Sequence, residues 1–144
     1  MKIYLASPFF NEYELECVQR AEKILFGRGF TVFSPRLNEV RDEITSKDPA
    51  WGLETFSNDR RFIDWADAVV ALYHGGYSDS GTAWEIGYAY GAHKPVIVVH
   101  VTQDPDNGSN LMIHEGCHAN ITMDELERYD FETMPFKAYH GVMF

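Results

Sequence analysis

Between Trp65 and Val101 the chain reads as strand, loop, helix and strand in immediate succession, a pattern that a parallel α/β sheet satisfies directly. Trp65-Ala66-Asp67-Ala68-Val69-Val70-Ala71-Leu72-Tyr73 is an apolar run of strand length. Helical spacing then continues to about His93, and Pro95 opens a second apolar run over residues 96–101. In such a unit the loop after the first strand lies at the carboxyl edge of the sheet, where open α/β folds bind ligands. Here that loop leads into Asp79-Ser80-Gly81-Thr82-Ala83-Trp84-Glu85-Ile86-Gly87, with a glutamate set among small and apolar residues on the first turns of a helix. Glu85 is therefore a candidate catalytic group rather than a solvated surface acid.

The rest of the chain fits around this unit. Residues 3–6 read as a first strand, broken by Ser7-Pro8. Residues 11–26 read as a helix with Asn11 as N-cap and Leu15, Val18, Ala21 and Leu25 on one stripe, closed by Gly27 and Gly29. Residues 30–33 form a second strand ended by Ser34-Pro35. Residues 36–57 are charged, carry Pro49 and Gly52, and read as an irregular loop with a short helix. A helix is expected over 58–64, another over 111–119, and a short capped one over 122–129. The order implies a doubly wound, flavodoxin/Rossmann-like, five-stranded, mostly parallel sheet with helices on both faces, in a single domain over residues 1–144. The edges carrying residues 4–10 and 74–80 commonly flank the switch-point crevice of such sheets, which makes Tyr4 and Glu85 expected neighbours.

Composition narrows the partners. A hydrophobic content of 45% with 15% aromatics is that of a packed globule. The net charge of −10 argues against nucleic acid or an anionic membrane as partner, since both need basic patches, and leaves a neutral small molecule open. Cys17 and Cys117 do not make a disulfide scaffold, no apolar run nears the ~20 residues of a membrane helix, and the start shows no secretory pattern. The expected location is the cytoplasm. His114-Glu115-Gly116-Cys117-His118 matches the H-E-x-x-H zinc pattern, but Gly116 weakens the helix it needs and no third ligand is evident, so no metal is expected there.

Four segments together resemble the nucleoside 2-deoxyribosyltransferases: Ile3-Tyr4-Leu5-Ala6-Ser7-Pro8-Phe9-Phe10, Asn58-Asp59, the Asp79 to Glu85 stretch, and Asn110-Leu111-Met112-Ile113. The gaps also match: 20 residues from Asp59 to Asp79, six to Glu85 and 25 more to Asn110. The resemblance implies an enzyme that moves 2-deoxyribose between nucleobases without a cofactor. It further implies a dimer-based homo-oligomer, as large as a hexamer, with shared active sites. By the same resemblance Glu85 is the nucleophile, Tyr4 orients it, and Asp59 and Asp79 handle the base. Asn110, with Met112 beside it, and the Phe144 carboxylate hold the sugar in a neighbouring subunit's site.

The chemistry accounts for these residue types. Breaking an N-glycosidic bond leaves positive charge on the sugar and negative charge on the base. A carboxylate attacking the anomeric carbon forms a glycosyl ester, and a second base attacks that ester in turn. One acid cannot be nucleophile and proton donor at once, so Asp59 or Asp79 is needed beside Glu85. Phe9, Phe10 and Trp84 are candidates to stack on the base and keep water from the ester. Rival readings are a deoxynucleoside 5′-monophosphate N-glycosidase, for which Ser7, Ser78 and Ser80 would hold phosphate, and a non-catalytic nucleotide-binding module.

Overall fold

A computed structural model describes residues 1–40, 48–102, 104 and 106–144. The strands β1 (Lys2–Ala6), β2 (Thr31–Phe33), β3 (Ala68–Tyr73), β4 (Val96–His100) and β5 (Ala119–Thr122) form one sheet in the order β2-β1-β3-β4-β5. Every pairing between these strands is parallel. β3 is buried at all six positions, which explains why it reads as a continuous apolar run rather than an alternating one.

Side chains alternate between the two faces of the sheet. Ile3, Leu5, Val70, Leu72, Ile97 and Val99 meet α1 (Glu12–Gly27) and α5 (Met123–Leu126) on one face. Tyr4, Ala6, Val69, Ala71 and Val98 meet α2 (Pro49–Trp65), α3 (Ser80–Gly91) and α4 (Leu111–His114) on the other. The doubly wound sheet expected from the element order is thus the fold of the chain. The chain leaves β1 and β3 toward opposite sides, which opens the crevice at their carboxyl ends.

Helix starts follow their local chemistry. Asn11 accepts from the Glu14 backbone N–H at 2.9 Å, Asp48 accepts from that of Ala50, and Thr122 with Glu125 makes a reciprocal capping box.

Two elements differ from the sequence expectation. The helix expected over 58–64 extends back to Pro49, because Asp48 caps it and Pro49 occupies the first turn, where a missing N–H costs nothing. The expected loop over 36–57 therefore contains only a short 3-10 turn, Pro35–Leu37, before α2 among the described residues; its residues 41–47 lie outside them. The helix expected over 111–119 stops at His114, and residues 119–122 become β5. A Cβ on Gly116 would lie 2.6 Å from the Met112 carbonyl oxygen, so the chain turns there in a way only glycine fits. Residues 109–111 pair with the tail: Ser109 N–H donates to Val142 and Leu111 N–H to Phe144, both at 2.9 Å.

Candidate active site

A cleft of about 540 Å³ opens at the carboxyl ends of β1, β2 and β3, walled by the loop after β1, the turn after β2, and α2 and α3. Glu85, on the second turn of α3, lines it. Tyr4, fully buried on β1, donates its hydroxyl hydrogen bond to Glu85 Oε1. Tyr4 is held in turn by aromatic packing: its ring stacks on Phe33 at 5.6 Å, and Phe33 stacks on Phe62 at 3.8 Å. A residue of the first strand and one of the third crossover helix, 81 positions apart, thus make one unit.

Electrostatics in the cleft are those of crowded, poorly hydrated carboxyl groups. Burial pushes Glu85 up to about 8; the Tyr4 hydrogen bond opposes the rise, and the charges of Asp59 and Asp79 add to it. Burial alone pushes Asp59 up to about 6. The Tyr4 phenol is raised well above its ordinary value, by burial first and then by the Glu85 charge, so it remains a hydrogen-bond donor. Asp79 is the N-cap of α3: its Oδ2 accepts from Thr82 N–H at 2.8 Å and from Thr82 Oγ1 at 3.3 Å. Gly81 makes room for that carboxylate, since a Cβ there would sit 2.8 Å from Asp79 Oδ2. The cap and the cleft position are compatible, because Oδ1 stays unclaimed by the cap.

Of the residues singled out in the sequence, the cleft brings together Glu85, Asp79, Asp59, Phe9 and Phe10, with Tyr4 behind Glu85. Phe9 and Phe10 stack at 5.8 Å, and Phe10 is 77% exposed. Trp84 lies outside the cleft lining, stacked parallel on Tyr88 at 5.2 Å and edge-on to Phe56, because it points away from Glu85 on α3. Asn110, Met112 and Phe144 also lie outside it. Asn110 caps α4, and Met112 and Phe144 are 74% and 57% exposed.

The His114 to His118 segment does not have the geometry of a zinc helix. His114 ends α4 and is buried, while His118 lies beyond the turn with Nε2 at the Met134 carbonyl. The two rings therefore do not share a helix face.

Five wall residues escaped the sequence reading: Asn38, Glu39 and Val40 after β2, and Trp51 and Thr55 on α2. The signal for the last two was helical spacing, since positions 51, 55 and 59 recur every four residues. The β2 wall is anchored by a buried acid. Glu22 of α1, 5% exposed, accepts from Ser34 Oγ at 2.7 Å and is bonded by both Nε and Nη2 of Arg36. Asn38 then donates to the Ser34 carbonyl at 2.9 Å. Removing one partner of a bidentate, largely desolvated pair strands the other. Glu22→Ala is therefore expected to lower unfolding free energy by about 2–4 kcal/mol in urea titrations; a loss below about 0.5 kcal/mol would show the pair to be idle.

The fold and cleft define a class: a parallel α/β subunit with several carboxyl groups gathered at its switch point. The family model for nucleoside 2-deoxyribosyltransferase matches residues 3–125, and the chain belongs to that family. It is 31% identical over 126 residues to a nucleoside deoxyribosyltransferase of Limosilactobacillus fermentum, covering 80% of this chain and 75% of that one. It is 29% identical over 97 residues to one from Lactobacillus leichmannii, covering 67% and 62%. Among solved structures, a 2-deoxyribosyltransferase from Bacillus psychrosaccharolyticus superposes with a TM-score of 0.88 at 42% identity, over 97% of this chain and all of that one. A CMP N-glycosidase from Clostridium botulinum shares the fold, with a TM-score of 0.61 at 19% identity, over 90% of this chain and all of that one.

Proposed function

We propose that this chain exchanges nucleobases on 2-deoxyribonucleosides by double displacement, with Glu85 as the nucleophile. The observation that carries the reading is the Tyr4–Glu85 hydrogen bond inside a cleft that also holds Asp59 and Asp79. Glu85, ionised, attacks the anomeric carbon from the face opposite the base; the bond to the base breaks and a deoxyribosyl ester forms. The departing base takes a proton from Asp59, which burial raises to about 6 and which stands in the cleft beside Glu85. Asp79, fixed by its cap, offers its free oxygen to the base. A second base then attacks the ester, returns its proton to Asp59 and leaves with the sugar. Two inversions give retention. Phe9 and Phe10, at the mouth, stack on the base and exclude water.

The hydrolytic alternative on deoxynucleoside monophosphates is disfavoured by charge. Among the described residues the cleft is lined by four acids, Glu39, Asp59, Asp79 and Glu85, and by no Lys or Arg. A phosphate dianion would meet repulsion there, whereas a neutral nucleoside would not.

Asn110 and Met112 serve, in this reading, the cleft of a second copy of the chain. Their position outside the lining, beside the exposed apolar side chains of Leu111, Met143 and Phe144, supports that role. A complementation experiment checks it. Glu85→Ala and Asn110→Ala should each be inactive alone. Reassembled together, they should regain about a quarter of parental activity, because half the random dimers are hybrids with one intact site of two. No recovery would place Asn110 with its own Glu85 or outside the reaction.

The function itself is tested by incubating the protein with deoxyinosine and free adenine and resolving the products by chromatography. Deoxyadenosine in place of free deoxyribose establishes exchange. Release of deoxyribose without exchange, or turnover only of a deoxynucleoside monophosphate, would replace this reading with a hydrolase.

A further inference from the structure

Thr55 Oγ1 is buried and has no hydrogen-bond partner. Thr55 sits on α2 one turn before Asp59, and both residues line the cleft. A threonine inside a helix commonly bonds back to the carbonyl four residues earlier, and this one does not. The other two hydroxyls of the described cleft are engaged: Ser7 Oγ donates to the Pro8 carbonyl at 2.8 Å, and Thr82 Oγ1 donates to Asp79. Native proteins rarely leave a buried polar group unpaired, and an orphan on a binding wall finds its explanation in what the wall binds.

We propose that the Thr55 hydroxyl, with the Asp59 carboxyl one turn further along α2, forms the polar edge that hydrogen-bonds the heteroaromatic base. The inference rests on the transferase reading for the identity of the ligand. Threonine in a helix populates two χ1 rotamers, so rotation about one bond turns the hydroxyl into the cleft without moving α2. A hydroxyl both donates and accepts, so it serves bases that present a carbonyl as well as those that present an amino group at the same edge. Trp51, one turn earlier on the same stripe, supplies the apolar surface beside it.

Thr55→Val keeps the shape and removes the hydroxyl, and Thr55→Ser keeps the hydroxyl and removes the methyl. The measurements are steady-state exchange between deoxyinosine and adenine, thermal unfolding, and calorimetric binding of free adenine. Thr55→Val should unfold at the parental temperature or above it, since an orphan hydroxyl is gone, while KM for adenine rises about 5- to 30-fold with a smaller change in kcat. Thr55→Ser should stay near the parental KM. A Thr55→Val protein with parental KM and parental adenine affinity would overturn the proposal, whatever its stability. So would Thr55→Ser as impaired as Thr55→Val, which would assign the effect to methyl packing. The binding measurement needs no turnover: a parent that binds adenine but does not exchange it would remove the transferase reading, while the Thr55→Val comparison would still decide this contact.

Discussion

Replacing Glu85 with Gln should lower base exchange by at least about 10³-fold while making the protein more stable at alkaline pH. The first effect follows from the proposed mechanism, in which Glu85 is the nucleophile and an amide in its place cannot form the ester. The second follows from proton linkage. The Glu85 pKa is raised from 4.5 to about 8 in the folded protein, chiefly by burial. The folded state therefore holds this proton more tightly than the unfolded chain does. Stability associated with the group is fully present below about pH 4.5 and is lost as pH rises toward 8. Above that, the fold carries a charge that its surroundings penalise, and Gln removes the penalty. The gain should be roughly 2–4 kcal/mol at pH 9 and near zero at pH 4, read from denaturant midpoints at the two pH values. A variant less stable than the parent at pH 9 would mean that the Tyr4 hydrogen bond, not burial, dominates the site.

The pH profile of kcat/KM should be a bell with limbs near 6 and near 8, falling about tenfold per pH unit outside them. Asp59 and Glu85 are both raised, to about 6 and about 8, and the Asp59 charge contributes to the rise at Glu85. The limbs accordingly belong to the pair rather than to either residue. Between the limbs the single proton resides mainly on Glu85, so in the proposed mechanism the productive form, with Glu85 ionised and Asp59 protonated, is the minor tautomer of the pair. Asp59→Asn should cost about 10²- to 10⁴-fold, the usual range for a lost general acid. It should also replace the bell with a single rise, at lower pH than the parent's upper limb because the neighbouring charge is gone. A parental profile that only rises with pH, with no falling limb above pH 8, would remove Asp59 from the proton-donor role and leave Asp79 to be tested in the same way.

How much of this could be read without the fold depends on the range over which each interaction acts. The β3–α3–β4 unit was legible because burial of a parallel strand on both faces leaves a continuous apolar run, and because Pro95 punctuates it. The N-caps at Asn11 and Thr122 each act over two or three residues, so residue type and spacing were enough to place them. Glu85 stood out for a related reason, as a carboxylate among small and apolar neighbours on a helix that starts at the carboxyl edge, whereas Asp59 and Asp79 were singled out by the resemblance.

β5 was not legible, since four residues containing a buried Asn120 carry no strand pattern of their own. Asn120 is satisfied only in the fold, by the carbonyls of His114 and Lys137 and by the His100 ring. The front of α2 was likewise hidden, because its charged, Gly- and Pro-containing sequence has weak periodicity until a cleft gives Trp51 and Thr55 something to face. The sequence by itself determined the fold class and the segments that meet at the switch point, because strand runs, caps and turns are local properties. The meeting of Tyr4 and Glu85 was expected from the topology, but the tertiary structure alone decided the rest: Arg36 against Glu22, Thr55 without a partner, and two carboxyl groups raised by desolvation. Contact and burial depend on residues far apart in the chain, and no local pattern encodes them.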